Sequence, residues 1–114
     1  MGGIYSNLED LYRWDQALYT NQLLEQAALQ EAFEPVRLND GQFYPYGFGW
    51  HIRADGKTYY HMGGWLGFRT LLMRTPLDKN TIILLTNNLN ASFEEITDMI
   101  YNILYNRPYT IPGL

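Results

Sequence analysis

Apolar residues recur at helical spacing near both ends of this chain and at strand spacing in its middle. Leu8, Leu11, Trp14 and Leu18 fall three or four positions apart, which lines one stripe of a helix over residues 7 to about 19. Ser6, with Glu9 three residues later, predicts a capping box at its start, and Asn21 can end it. Ala28, Leu29, Ala32 and Phe33 predict a second helix from about Gln26 to Phe33, closed by Pro35. Residues 36–45 read as loop, with Asn39-Asp40-Gly41 as a turn signal.

The middle of the chain changes period. Tyr46 to Arg53 reads as a strand despite its glycines, and Ala54-Asp55-Gly56-Lys57 as a tight turn. Thr58 to Met62 returns, with Tyr59, His61 and Gly63 on one face and Thr58, Tyr60 and Met62 on the other. A glycine-rich edge, Gly63–Gly67, leads to a strand from Phe68 to Arg74. Residues 75–80 turn the chain. Thr81 to Thr86 is apolar on both faces, which predicts a central strand covered twice. Ser92 and Glu95 predict a second capping box. Phe93, Ile96, Ile100, Ile103 and Leu104 form the stripe of a last helix that packs on the sheet and stops before Pro108. The expected fold class is α+β: two helices, an antiparallel meander of three to four strands, then one helix.

Composition bounds the function. At 114 residues the chain is one domain or part of one. A net charge of -4 and no basic run argue against nucleic acid as a partner. No apolar stretch approaches the roughly 18 residues of a membrane span, and no signal peptide opens the chain. There is no cysteine, hence no disulfide and no cysteine zinc site. This is compatible with cytosol, periplasm or cell surface. His51 and His61 stand ten apart with no further ligand pattern, so no metal and no cofactor are expected. Asp55, Asp78 and Asp98 have no catalytic spacing and read as solvated. The ten tyrosines are the unusual feature. The rings of Tyr44, Tyr46, Phe48, Trp50, Tyr59, Tyr60 and Trp65 suit core packing and cross-strand pairing, or else a platform that stacks glycan or peptide.

The segment His61-Met62-Gly63-Gly64-Trp65-Leu66-Gly67-Phe68 carries the chemistry. Glycines without Cβ let a ligand approach backbone N–H groups, and His61 is the one titratable side chain there. The plain alternatives are a strand histidine bonded to a neighbour and glycines that form a bulge or turn.

Four motifs in series resemble the C-terminal part of the serine β-lactamase-like superfamily, which takes in class C β-lactamases, penicillin-binding DD-peptidases and related esterases. They are Gly2-Gly3-Ile4-Tyr5-Ser6 with Asp10-Leu11 and Trp14; Leu23-Leu24 with Phe33-Glu34-Pro35; Tyr46-Gly47-Phe48-Gly49-Trp50; and His61-Met62-Gly63-Gly64 with Gly67-Phe68. The last is similar to the family's third active-site motif, Lys-Thr-Gly or His-x-Gly. Thr81–Asn88 is similar to the strand before the family's final helix.

The resemblance implies a single partial domain over 1–114 and, in a full-length parent, hydrolysis of an amide or ester through an acyl-enzyme. It implies that His61 and the Gly64 backbone N–H are catalytic, the latter in the oxyanion hole, and that Met62, Gly63 and Trp65 contact substrate. Met62 cannot donate a hydrogen bond to a substrate carboxylate, which puts β-lactam and D-Ala-D-Ala recognition in doubt and leans toward an esterase-like or uncharacterised member. No Ser-x-x-Lys occurs, so this chain has no nucleophile. Tyr5-Ser6-Asn7 and Tyr19-Thr20-Asn21 fit Tyr-x-Asn by pattern alone and are set aside. An incomplete, inactive module is therefore expected, and Met1 ahead of a mid-domain segment suggests an expressed piece or a truncated reading frame. A small-molecule or peptidoglycan-like substrate and an extracytoplasmic bacterial parent follow from the resemblance. So does an open strand edge covered by self-association or by an upstream portion of the domain. The alternative reading is a stand-alone glycan- or peptide-binding module that uses the aromatic strand face.

Overall fold

A computed structural model describes residues 2–89 and 92–113; Met1, Asn90, Ala91 and Leu114 lie outside them. Helix α1 (Leu8–Ala17) begins where Asn7 accepts the Asp10 N–H at 2.9 Å. The cap is thus Asn7 and not Ser6, whose hydroxyl turns instead to the Asn7 carbonyl. Asn21 does not end α1; its side chain accepts the N–H of Gln26 and starts α2 (Gln26–Ala32). In the predicted loop, β1 (Val36–Arg37) and β2 (Phe43–Tyr44) pair as a short hairpin around Gly41, which takes φ 87°.

The main sheet runs β3 (His51–Ile52), β4 (Tyr59–Trp65), β5 (Phe68–Thr75) and β6 (Asn80–Thr86), every pair antiparallel and in chain order. Helix α3 (Phe93–Leu104) follows; Ser92 holds its N-cap position, but no side-chain cap bond forms there. The fold class is α+β, as the pattern predicts.

The period of two splits the sheet's side chains between two faces. Leu71, Met73 and Ile82 go one way, onto Phe93 and Tyr101 of α3, with Tyr60, Met62 and Leu84 at the margin. Leu72 and Tyr59 go the other way, onto a cluster of Leu18, Leu29 and Trp50 beneath α1 and α2. Each buried Leu, Met or Ile stabilises by about 1.5–3 kcal/mol. Thr81–Thr86 is covered on both faces as expected, because α1 and α3 both contact β6. It is not central. β6 is the last strand of the sheet, and no strand among the described residues pairs with its outer side.

One ion pair ties α1 to the sheet. Arg74 Nε lies 3.2 Å from Asp15 Oδ1, with side chains 1% and 0% exposed. Thr81 and Gln16 donate to the other carboxylate oxygen at 2.7 and 3.1 Å. The Arg74 guanidinium lies over the Tyr19 ring, 4.6 Å from its centroid. Two buried charges survive together because each neutralises the other, although Asp15 Oδ1 and Arg74 Nε and Nη1 make no well-aligned hydrogen bond.

The three aspartates read as solvated are all engaged. Asp55 accepts from the Thr58 and Tyr101 hydroxyls, both at 2.7 Å, and from the N–H groups of Lys57 and Thr58. Burial raises the Asp55 carboxyl, but these four hydrogen bonds outweigh it and hold the pKa at about 2. Asp78 accepts from Lys57 and Tyr105, and Asp98 pairs with Arg53. Tyr101 and Tyr105, at the end of α3, reach Asp55 and Asp78 only once that helix has docked.

Candidate active-site edge

The edge is exposed by a local failure of strand pairing. Tyr46–Arg53 does not form the predicted strand: only His51 and Ile52 pair with β4, and Tyr46 bridges back to His51. Gly47 bonds its N–H to the Trp50 carbonyl at 2.8 Å, and Gly49 takes φ 80°. Phe48 donates to the Ala32 carbonyl at the end of α2. A Cβ on Gly47 would stand 2.0 Å from that same oxygen, so only glycine fits. The loop is thereby pinned to α2 and drawn away from β4.

That leaves one side of β4 bare. The Arg53 N–H donates to the Thr58 carbonyl, and the ladder continues through His51↔Tyr60. Backbone groups alternate sides with each residue. Those of Tyr60 face β3, so those of Met62 and Gly64 face the same way, where the register would need residues 49 and 47. No strand among the described residues stands there. The inner side is regular: Gly63 pairs with Thr70 and Gly64 with Arg69. The glycines therefore form no bulge. The turn comes later, at Leu66 and Gly67, with φ 45° and 89°. Positive φ at both central positions is the two-residue hairpin that matches strand twist, and leucine is a strained choice for it.

The two glycines differ. A Cβ on Gly63 would meet the Thr70 hydroxyl at 2.5 Å, whereas one on Gly64 would meet only the Phe68 carbonyl oxygen at 3.9 Å. Gly63 is explained by the sheet. Gly64 is not required by any neighbour among the described residues.

The sequence-predicted site residues come together in part. His61 and Trp65 are exposed and share the face of Gly63. Trp65 lies against Gly2, where a Cβ would stand 2.9 Å from the indole. This brings the first and last of the four motifs into contact. Met62 does not join them: its side chain packs into the α3-side cluster and lines a cavity of about 320 Å³ with Ile52, Arg53, Tyr60 and Asp98. Only its backbone faces the open edge.

Sequence reasoning missed Tyr46 and His51. Tyr46 Oη lies 3.3 Å from His61 Nε2. The His51 ring stands 5.5 Å from that of His61, 4.6 Å from Tyr46 and 5.1 Å from Tyr60. Burial, and then the nearby charge of His61, lower the His51 pKa, which favours the neutral ring. Their spacing gave no signal, because the Gly47–Trp50 loop folds Tyr46 back onto His51. No group of three metal-ligating side chains occurs among the described residues.

The aromatic platform does not assemble. Trp50 is 9% exposed, between Trp14 and Phe33, and Tyr59 stacks on Phe33 at 3.9 Å. Of Tyr46, Trp50, Tyr59 and Trp65, Trp65 alone is well exposed, at 58%. Tyr44 and Phe48 are also exposed, at 54% and 65%, but Tyr46, Trp50, Tyr59 and Trp65 do not form a row on one solvated face.

Comparison with known proteins extends this picture. A family model described as Beta-lactamase matches residues 1–105. The chain is similar to penicillin-binding protein 4* of Bacillus subtilis (strain 168), 37% identical over 116 residues, which is 97% of this chain and 26% of that protein. It is also similar to the "Putative penicillin-binding protein PbpX" of the same strain, 31% identical over 105 residues, 90% of this chain and 25% of that protein. The chain spans about a quarter of the length of these curated relatives.

Proposed function

This chain belongs to the beta-lactamase family, and on that premise we propose that its β4 edge is one wall of a serine acyl-hydrolase site. Gly64 offers its backbone N–H to the oxyanion of the tetrahedral intermediate. His61 supplies a polar group beside the reacting carbonyl. Gly63 and the backbone of Met62 let the acyl substrate lie along the edge as an added strand, and Trp65 covers one end of it. The substrate class is an amide or ester, with peptidoglycan-like peptides and β-lactams favoured by the penicillin-binding names of the relatives.

The observation that carries this reading is that the outer side of Met62 and Gly64 is bare, and Gly64 is required by no neighbour, among the described residues. Donors fixed by a rigid ladder need no reorganisation when charge develops on a substrate oxygen, which is why such donors accelerate acyl transfer. The nucleophile is not among these 114 residues: no serine is followed three residues later by lysine. The chain alone is therefore an incomplete module. The free side of β6 belongs to the same reading. It takes a strand from the rest of a domain or from a second copy, so the isolated chain self-associates in sedimentation; a monomer across a wide concentration range counts against this.

The test has two arms. The purified chain is offered a chromogenic ester, a chromogenic cephalosporin and a serine-reactive phosphonate; neither turnover nor adduct is expected. A stoichiometric adduct on one serine, with activity lost on its replacement, would show a complete small hydrolase. In the second arm these residues replace the matched quarter of penicillin-binding protein 4*, and acylation by a fluorescent penicillin is timed. Gly64→Pro, which removes the N–H, should slow acylation by about 10²–10³-fold. An unchanged rate sinks the assignment of Gly64.

A further inference from the structure

We infer that Tyr46 is a positioning residue for His61: its phenol hydroxyl donates to His61 Nε2 and fixes the neutral ring as the Nδ1–H tautomer, so that Nδ1 offers a hydrogen-bond donor to an acceptor oxygen of the acyl substrate. The substrate half of this inference rests on the function proposed above; the tautomer does not.

The contact is 3.3 Å between Tyr46 Oη and His61 Nε2, across fifteen residues of sequence. Tyr46 is held at the backbone from both sides. Its N–H donates to the Tyr44 carbonyl at 2.7 Å, and its carbonyl accepts from Val36 at 2.9 Å. It also bridges to His51, whose ring meets the Tyr46 ring edge-on at 4.6 Å. The next residue, Gly47, is locked against α2. The phenol therefore reaches His61 from a rigid loop. His61 stands on a paired strand, opposite Leu72. Two rigid supports make the contact a fixed one.

At 3.3 Å either group could be the donor. With the phenol as donor, its one proton goes to Nε2, the one side-chain partner it has among the described residues. A neutral imidazole has one acceptor nitrogen and one N–H, and the bond made by the first decides where the proton sits. With Nε2 accepting, the proton lies on Nδ1. No protein group among the described residues bonds Nδ1, so that N–H is free for a ligand. A neutral histidine thus serves as a donor without carrying charge.

Long-range proton–nitrogen correlation spectra of the isotope-labelled chain, taken well above the histidine range, read the tautomer directly. The wild type should show His61 as Nδ1–H with a bare Nε2. Tyr46→Phe should reverse it to mainly Nε2–H, the tautomer imidazole prefers in water, with the His51 signals retained. A ring-fluorinated tyrosine at position 46, a stronger donor of nearly the same shape, should move the Nε2 shift further in the hydrogen-bonded direction; this arm decides if Tyr46→Phe fails to fold. An Nε2–H pattern in the wild type overturns the inference, as does a His61 tautomer indifferent to both changes. A lone structural role for Tyr46 would move neither nitrogen shift. The readout needs no substrate, so its failure leaves the hydrolase reading standing, and a failed acylation test leaves the tautomer standing.

Discussion

At its Tyr59 end, β4 lies between β3 and β5 and beside a mesh of side-chain bonds; at its Trp65 end it has a neighbour on one side only. Around the first end, Thr58, Thr75, Asp55 and Tyr101 share protons at 2.7–2.8 Å, and Arg74, which pairs with Tyr59, is sealed against Asp15. Around the second, Gly63, Gly64, Trp65 and Leu66 are exposed, and Leu66 sits in the left-handed region. One strand thus carries both a fastening and an opening. Binding edges need unspent backbone donors, and a chain this small can leave them unspent only where another part of the same strand is fixed.

The largest test of that contrast is at the closed end. Asp15→Ala leaves the Arg74 charge buried without its partner and should cost about 3–5 kcal/mol in chemical denaturation. A loss below about 1 kcal/mol would mean that the pair contributes little beyond packing. Asp55→Asn should cost about 1–2 kcal/mol, since an amide cannot accept all four hydrogen bonds. It should also change the response to acid. The folded carboxyl holds its proton less readily than the unfolded one, with a pKa of about 2 against 3.8. The unfolded chain binds more protons in that window, so wild-type stability is complete above about pH 4 and is lost as pH falls toward 2. The variant should lack that slope in melting temperature against pH.

At the open end the effects are smaller and turn on one methyl group. Gly63→Ala drives a Cβ toward the Thr70 hydroxyl and should cost about 1–2 kcal/mol. Gly64→Ala meets open space and should stay within about 0.5 kcal/mol. Equal losses at both would mean that Gly64 is there for the sheet after all. Leu66→Asn, which tolerates positive φ better, should gain about 0.5–1 kcal/mol in the same unfolding series. An unchanged or lowered stability would point to a contact that Leu66 makes in the complete protein.

Periodicity alone recovered what depends on neighbours in sequence: α1, α3, the β4–β5 hairpin and the two-sided cover of β6. It could not show that β6 is the last strand, because an apolar run records which faces are covered and not which side is paired. Tyr46–Arg53 failed as a strand for a long-range reason, the close approach of Gly47 to Ala32. The site was legible by halves. The His61–Gly64 edge announced itself through its glycines, and Tyr46 and His51 did not, since their meeting with His61 depends on a loop pinned by α2. The Asp15–Arg74 pair, fifty-nine residues apart, has no sequence signature at all.

The order β3-β4-β5-β6 also sets a sequence of events in time. Every ladder joins strands adjacent along the chain, so the sheet can assemble hairpin by hairpin with little loop-closure entropy at each step. Helix α1 is different: Asp15 must wait for Arg74 and Thr81. Loosening it should therefore hasten unfolding while leaving the rate of folding nearly untouched, which folding and unfolding rates of Asp15→Ala would show.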